Sequence, residues 1–266
     1  MGKRHEAVGV KQVLRYEWLQ RTVHLLLAGL DAKEIRRELH GFLAERRGSG
    51  EEKERSEGTR TFAVNNLMKI WVSPETELLS FRDASLLLLR EHPAFEKVLH
   101  WGMLSATYPF WFNTARQTGR LLALQERVTQ AQIIKRLKEQ YGDRQTISRY
   151  ARFVVRSFVA WGVLEDSKES ACYERSEAVK IDDLAPALLL LESALHATQE
   201  ERLPLAALVK SPAFFPFRLP SLGGELVAQN TGRLCCERYN VHDVFVRLNP
   251  SLDGRLSSRR ERDASP

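Results

Sequence analysis

"GDRQTISRYARFVVRSFVAWGVLED", residues 142–166, mixes four arginines with apolar residues, and helical geometry separates the two sets. At about 100° per residue, with Ile147 at zero, Ala151, Val154 and Phe158 fall within about 40° of it and Val155 at about 80°. Gln145, Arg149, Arg152 and Arg156 fall between about 140° and 200°, on the opposite side. One stripe is built for a core and the other presents three guanidinium groups. Phe153 fits neither stripe and is expected to pack against a neighbouring helix. Gly142 is a natural stop for a preceding helix, so the new one is expected from near Gln145 to about Ala160.

The residues on either side extend the pattern. Upstream, Thr129-x-x-Gln132 has the form of a capping box, and Ile133, Ile134, Leu137 and Tyr141 share a face. Downstream, "WGVL" opens an extended segment, "SKES" is polar and turn-like, and "YERSEAVKI" can return as a second strand. This order (capped helix, glycine turn, arginine-bearing helix, short hairpin) resembles the winged helix-turn-helix superfamily over residues 129–183. "YPFWFNTARQTGRLLALQE" would then be the first helix of the three.

The resemblance implies a helix that enters the major groove, with its N-terminal residues near base edges. Arginine pairs bidentately with guanine and glutamine with adenine, which makes Gln145 and Arg149 the candidate readers. Arg144, Thr146, Ser148, Arg152 and Lys168 would contact phosphates. Arg152 and Arg156 lie deep along the helix, where they can point at the backbone or at a partner. Residues 95–165 also resemble the small helical accessory proteins of bacterial BREX phage-defence systems, the BrxA group. That similarity is carried by "YPFWFNTARQTGRLLALQE" and "YGDRQTISRYARFVVRSFVAWGVL", and implies a DNA-associated component of a larger complex.

The expected fold class is mainly α, with a helical bundle-like N-terminal part, a central winged-helix-like module and a small α+β C-terminal part. Two helices are expected in 1–47, the first over "VLRYEWLQRTVHLLLAGL", the second capped by Asp31. Residues 48–60, with three glycines and no large apolar residue, read as a flexible linker. Residues 61–128 form a helical, aromatic-rich region divided by Pro93 and Pro109, with a helix start at Ser73-Pro74. Its aromatics, Phe95, Trp101, Tyr108, Phe110, Trp111 and Phe112, are expected in a core. Residues 184–250 read as a helix followed by short alternating strands, and 251–266 as a disordered basic tail.

The chain carries 40 basic and 34 acidic residues, a net charge of +6. From Asn113 to Ala160 ten basic residues face three acids, an excess larger than that of the whole chain. The basicity is local, and it suits a polyanionic partner. Three cysteines, two of them adjacent, argue against a disulfide scaffold, and no apolar run suits a signal peptide or a bilayer span. A cytoplasmic location is expected.

The sequence has no phosphate-binding glycine loop, no HExxH and no cysteine/histidine ligand spacing, so no cofactor, metal or catalytic residue is expected. Cys235 and Cys236 would point to opposite faces of a strand. The expected function is non-catalytic duplex DNA binding, as a regulator or as an accessory subunit of a DNA-processing or phage-defence complex, with protein partners or self-association. The alternative is an interaction scaffold without nucleic acid, using the aromatics of 108–112 or "SPAFFPFRLPSL" as its surface.

Overall fold

Residues 96–115 carry more large apolar side chains than one helix face can hold, and the rest of the chain wraps around them. The computed structural model describes residues 3–45, 56–240 and 243–252; it is mainly helical, with small sheets. The stretches 46–55 and 253–266, most of the expected linker and tail, lie outside the described residues.

The chain opens with the single turn α1 (Lys3–Glu6), runs without helix to Arg15, then forms α2 (Tyr16–Leu27) and α3 (Ala32–Ala44). The helix expected from the start of "VLRYEW" thus begins three residues later. Val10 and Leu14 are nevertheless fully buried, held outside any helix. Asp31 caps α3 through a reciprocal box: its carboxylate accepts from the Glu34 amide at 2.8 Å, and Glu34 accepts from the Asp31 amide at 2.9 Å.

α4 (Glu57–Leu67), capped by Ser56, begins inside the stretch expected as linker and continues as a π-helical turn at Met68–Val72. The expected start at Ser73-Pro74 is not a helix start: Ser73 closes the π-turn, and a 3-10 turn at Thr76–Leu78 leads into α5 (Leu79–Glu91). Pro93 opens a short 3-10 turn before α6 (Glu96–Thr107), and Pro109 is the first residue of α7 (Pro109–Leu122), where its missing N–H costs nothing.

The short strand β1 (Arg127–Thr129) precedes α8 (Gln130–Tyr141) and α9 (Gln145–Ala160), and β2 (Leu164–Asp166) and β3 (Cys172–Arg175) follow as a hairpin. All three strands are antiparallel, in the order β1-β3-β2. Beyond them, β4 (Val179–Lys180) is followed by α10 (Leu184–Ala197), which is buried on all sides from Pro186 onward and packs along α6. β5 (Leu203–Pro204), α11 (Leu205–Val209), β6 (Phe217–Arg218), α12 (Gly224–Asn230), β7 (Leu234–Arg238) and β8 (Val244–Leu248) complete the chain. β4 pairs in parallel with β6, while β5, β8 and β7 form a separate sheet.

These parts share one hydrophobic cluster, running from Val10 to Val246. At its centre Phe158 of α9 contacts Trp101 of α6 and Trp111 of α7, with ring centroids 5.1 and 4.8 Å apart. Gly119 of α7 admits the 3-10 turn at Pro212–Phe214: a Cβ there would sit 1.9 Å from the Pro212 carbonyl oxygen. Tyr108, Phe110, Trp111 and Phe112 are all buried, as are Phe214, Phe215 and Phe217. The aromatic residues of both stretches named for a scaffold role are therefore interior, while Arg218 and Ser221 of the second are exposed. Phe95 is only half-buried at the core's edge.

The nonhelical N-terminal segment is clipped to the back of α9. The Leu14 amide donates to Ser157 Oγ at 2.9 Å, Ser157 donates to the Phe153 carbonyl at 2.7 Å, and Trp161 Nε1 donates to the Leu14 carbonyl at 2.9 Å. A Ser157→Ala variant leaves the buried Leu14 amide without an acceptor and should lose about 1–3 kcal/mol in chemical denaturation. An unchanged midpoint would mean that the clip carries no stability.

Glu96 lies in the same bundle, buried among donors: Tyr16 Oη at 3.1 Å, Gln20 Nε2 at 2.5 Å and His24 Nε2 at 3.3 Å, with His100 Nε2 at 3.6 Å. Burial opposes its ionisation, but His100, Gln20 and Tyr16 outweigh it and hold the carboxyl at about 2. His100, fully enclosed, has its pKa pushed down by burial, which outweighs the opposing pull of Glu96. A depressed carboxyl contributes stability above its unfolded pKa, which is lost as pH falls through the folded one. The wild type should therefore lose stability between about pH 4.5 and 2, and Glu96→Gln should show a shallower loss over that window in acid titrations of the denaturation midpoint.

Candidate nucleic-acid interface

α9 is held by its apolar stripe. Ile147, Ala151, Val154, Val155 and Phe158 are fully buried, whereas Gln145, Thr146, Arg149, Arg152 and Arg156 are exposed. The ring contacts of Phe153 lie within its own helix. Half-buried, it lies against Tyr150 of the same helix (6.4 Å, 25°), with the Arg149 guanidinium 5.9 Å from its ring centre. The turn before α9 is set by Gly142, whose φ of 85° suits only glycine without strain.

α8 meets α9 across this turn. Its N-terminus is fixed by the Thr129–Gln132 box and by the hairpin, because the Ala171 carbonyl accepts from the Gln130 amide at 2.9 Å and Tyr173 Oη donates to Gln130 Oε1 at 3.2 Å. Ala171 pays for that position with a φ of 55°, left-handed for a residue with a Cβ. A groove of about 650 Å³ results, with Ile134, Lys135 and Lys138 of α8 on one wall, Ser148 and Arg152 of α9 on the other, and Ala171 at its end.

The structure divides the expected contact residues. Ser148 (half-buried) and Arg152 line this groove, and Gln145, Thr146 and Arg149 stand on the exposed face of α9. Lys168 is exposed on the hairpin turn. Arg144 turns away: its Nη2 donates to the Tyr141 carbonyl at 3.1 Å, and it lines a different cleft. Arg156 pairs with Asp166 of β2. Partial burial works against its charge, but Asp166 and the Tyr173 hydroxyl outweigh this and raise its pKa. It is tied to the hairpin, not free for a ligand.

The hairpin explains that outcome. Glu165, Asp166, Glu169 and Glu174 outnumber its Lys168 and Arg175, and Glu174 also holds Arg127 at 2.8 Å. Arg136 pairs with Glu139 at 3.3 Å and Lys138 with Asp143 at 2.7 Å. Lys135, Arg149, Arg152 and Lys168 enter no ion pair among the described residues. Lys135 and Lys138 were not singled out from sequence. The helical wheel used for α9, applied to α8, places both with Ala131 on one stripe.

No family model, curated protein or solved structure matches the chain. No helix among the described residues is long and apolar enough to cross a membrane.

The Arg156–Asp166 pair is about half-exposed on both sides and contributes at most about 1 kcal/mol. Asp166→Asn should leave thermal stability nearly unchanged while delaying elution of the protein from a polyanion column in a salt gradient. Unaltered elution would show that Asp166 does not hold the Arg156 charge back.

Proposed function

We propose that residues 109–175 form a winged helix-turn-helix and that the protein binds duplex DNA without catalysing a reaction on it. The observation that carries this reading is the exposed stripe of α9. Its Arg149 and Arg152 have no ion-pair partner among the described residues, Lys135 of α8 lines the same groove as Arg152, and Lys168 is exposed on the hairpin turn. The order α7, β1, α8, α9, β2, β3, with strand order β1-β3-β2, supports it, because this topology sets one helix beside a hairpin at a duplex-sized surface.

Gln145 and Arg149 are then the base readers, near the N-terminal end of α9. Arg152, Lys135, Lys168 and the hydroxyls of Thr146 and Ser148 position the backbone. The hairpin, with more acids than bases, approaches phosphates only through Lys168. The role is that of a regulator or of an accessory subunit in a DNA-processing or phage-defence assembly; the defence setting rests on the resemblance of residues 95–165 to the BrxA group.

Fluorescence anisotropy with a labelled duplex across a salt series tests the reading. About three to five phosphate contacts predict a slope of log K against log salt of roughly −3 to −5. Arg149→Ala/Arg152→Ala should weaken binding tenfold or more and flatten that slope by about two. Arg156→Ala should cost far less. Absence of binding at low salt, or equal binding by the double variant, would sink the proposal.

A further inference from the structure

A second cleft, of about 620 Å³, opens on another side of the α8–α9 turn, between α7, α8 and the ends of α1 and α10. Its floor is Arg116 of α7, a half-buried guanidinium lying 6.0 Å from the Phe112 ring centre. Among the described residues, Arg116 Nε is buried without a hydrogen-bond acceptor, and Nη2 reaches only Gln140 Oε1, at 3.5 Å. Burial pushes its pKa down and Arg120 adds to the effect, while Tyr141 and Glu200 pull the other way without reversing it. A guanidinium removed from water in this way normally has a carboxylate on it. Neither Arg116 nor Arg144, which lines the same cleft, has a carboxylate at ion-pair distance among the described residues. The acids on the lining are Glu6 and Glu200.

Tyr141 adds a neutral donor. Its oxygen accepts from Asn113 Nδ2 at 2.6 Å, and Asn113 is itself more than nine-tenths buried. The phenolic proton is thereby left to donate into the cleft. Two guanidiniums from different elements and a phenol line one cleft, and although Glu6 and Glu200 share the lining, neither guanidinium has a carboxylate at ion-pair distance among the described residues, which leaves a donor set for a tetrahedral oxyanion.

We propose that the cleft bounded by Arg116, Tyr141 and Arg144 binds a phosphate group. The two guanidiniums neutralise its charge, and Arg116 gains the acceptors that the fold withholds from it. The site stands apart from the groove of the duplex-binding reading and does not depend on it. The phosphate can belong to a small molecule or to a nucleic-acid backbone that extends past the end of α9.

The test is titration of the full chain with inorganic phosphate, followed by thermal shift and calorimetry, against sodium chloride at equal ionic strength. Saturable stabilisation is expected, weakened at least tenfold by Arg116→Gln and unchanged by Arg149→Ala/Arg152→Ala. Because Arg116 also packs on Phe112, Tyr141→Phe serves as the second variant: it keeps the ring and should weaken phosphate binding severalfold. Phosphate acting no better than chloride, or binding equally to both variants, overturns the proposal. Duplex affinity of Arg116→Gln in phosphate-free buffer identifies the source. A fall in affinity, with the salt slope reduced by about one, assigns the group to a nucleic-acid backbone. Unaltered duplex affinity with lost phosphate binding assigns it to a small molecule. Loss of duplex binding in Arg149→Ala/Arg152→Ala bears on the groove alone.

Discussion

Phe158 packed between Trp101 and Trp111 is the contact on which the rest of the structure turns. Trp161 lies 5.5 Å from Trp111 and 6.1 Å from Trp101, and Phe215 closes on Phe158 from the C-terminal part at 5.9 Å. Aromatic rings bury large areas and hold preferred edge-on geometries, so this cluster fixes the rotation of α9 as well as its position. Turning the helix by one residue, about 100°, would carry an arginine into a core of tryptophan and phenylalanine. An unpaired buried charge costs several kcal/mol, so the outer face of α9 is determined by what lies behind it.

Around that helix, residues of one type meet different fates. Arg149 and Arg152 face solvent with no ion pair among the described residues, Arg156 is drawn onto the hairpin by Asp166, and Arg116 is desolvated in a cleft. Local charge excess is therefore a poor measure of usable charge. Arg127, Arg136 and Lys138 also belong to the basic stretch, and each spends its charge on a neighbouring acid. Lys135, Arg149, Arg152 and Lys168 remain outside any ion pair among the described residues, and two of them, Lys135 and Arg152, line the groove.

Much of this was legible in the sequence where the signal is local. The bounds of α9, its two stripes, the Thr129–Gln132 box, the Gly142 turn and the Asp31 cap all depend on residues within a few positions of each other. The paired strands β7 and β8 were visible in their alternation. β1 was not, because three residues are too few to show a period, and the division expected at 128/129 runs through it. The pairing of Arg156 with Asp166 was not legible for a different reason: its partner lies across a hairpin, and a wheel drawn for one helix contains no second element. The buried Val10 and Leu14 fitted a helical period, yet their segment is held extended by Ser157 and Trp161, from nearly the other half of the chain.

That clip has a consequence for the order of events during synthesis. Leu14 meets partners 143 and 147 positions away, and Trp101 Nε1 donates to the Ala213 carbonyl across 112. Contacts so distant must wait for long loops to close, and they slow folding relative to a chain of local helical contacts. On the ribosome, α9 emerges well before Phe215, so its apolar stripe is covered last by residues made late. Until then part of that stripe is uncovered, and the orientation of the basic face is fixed only once residues near Phe215 have been made.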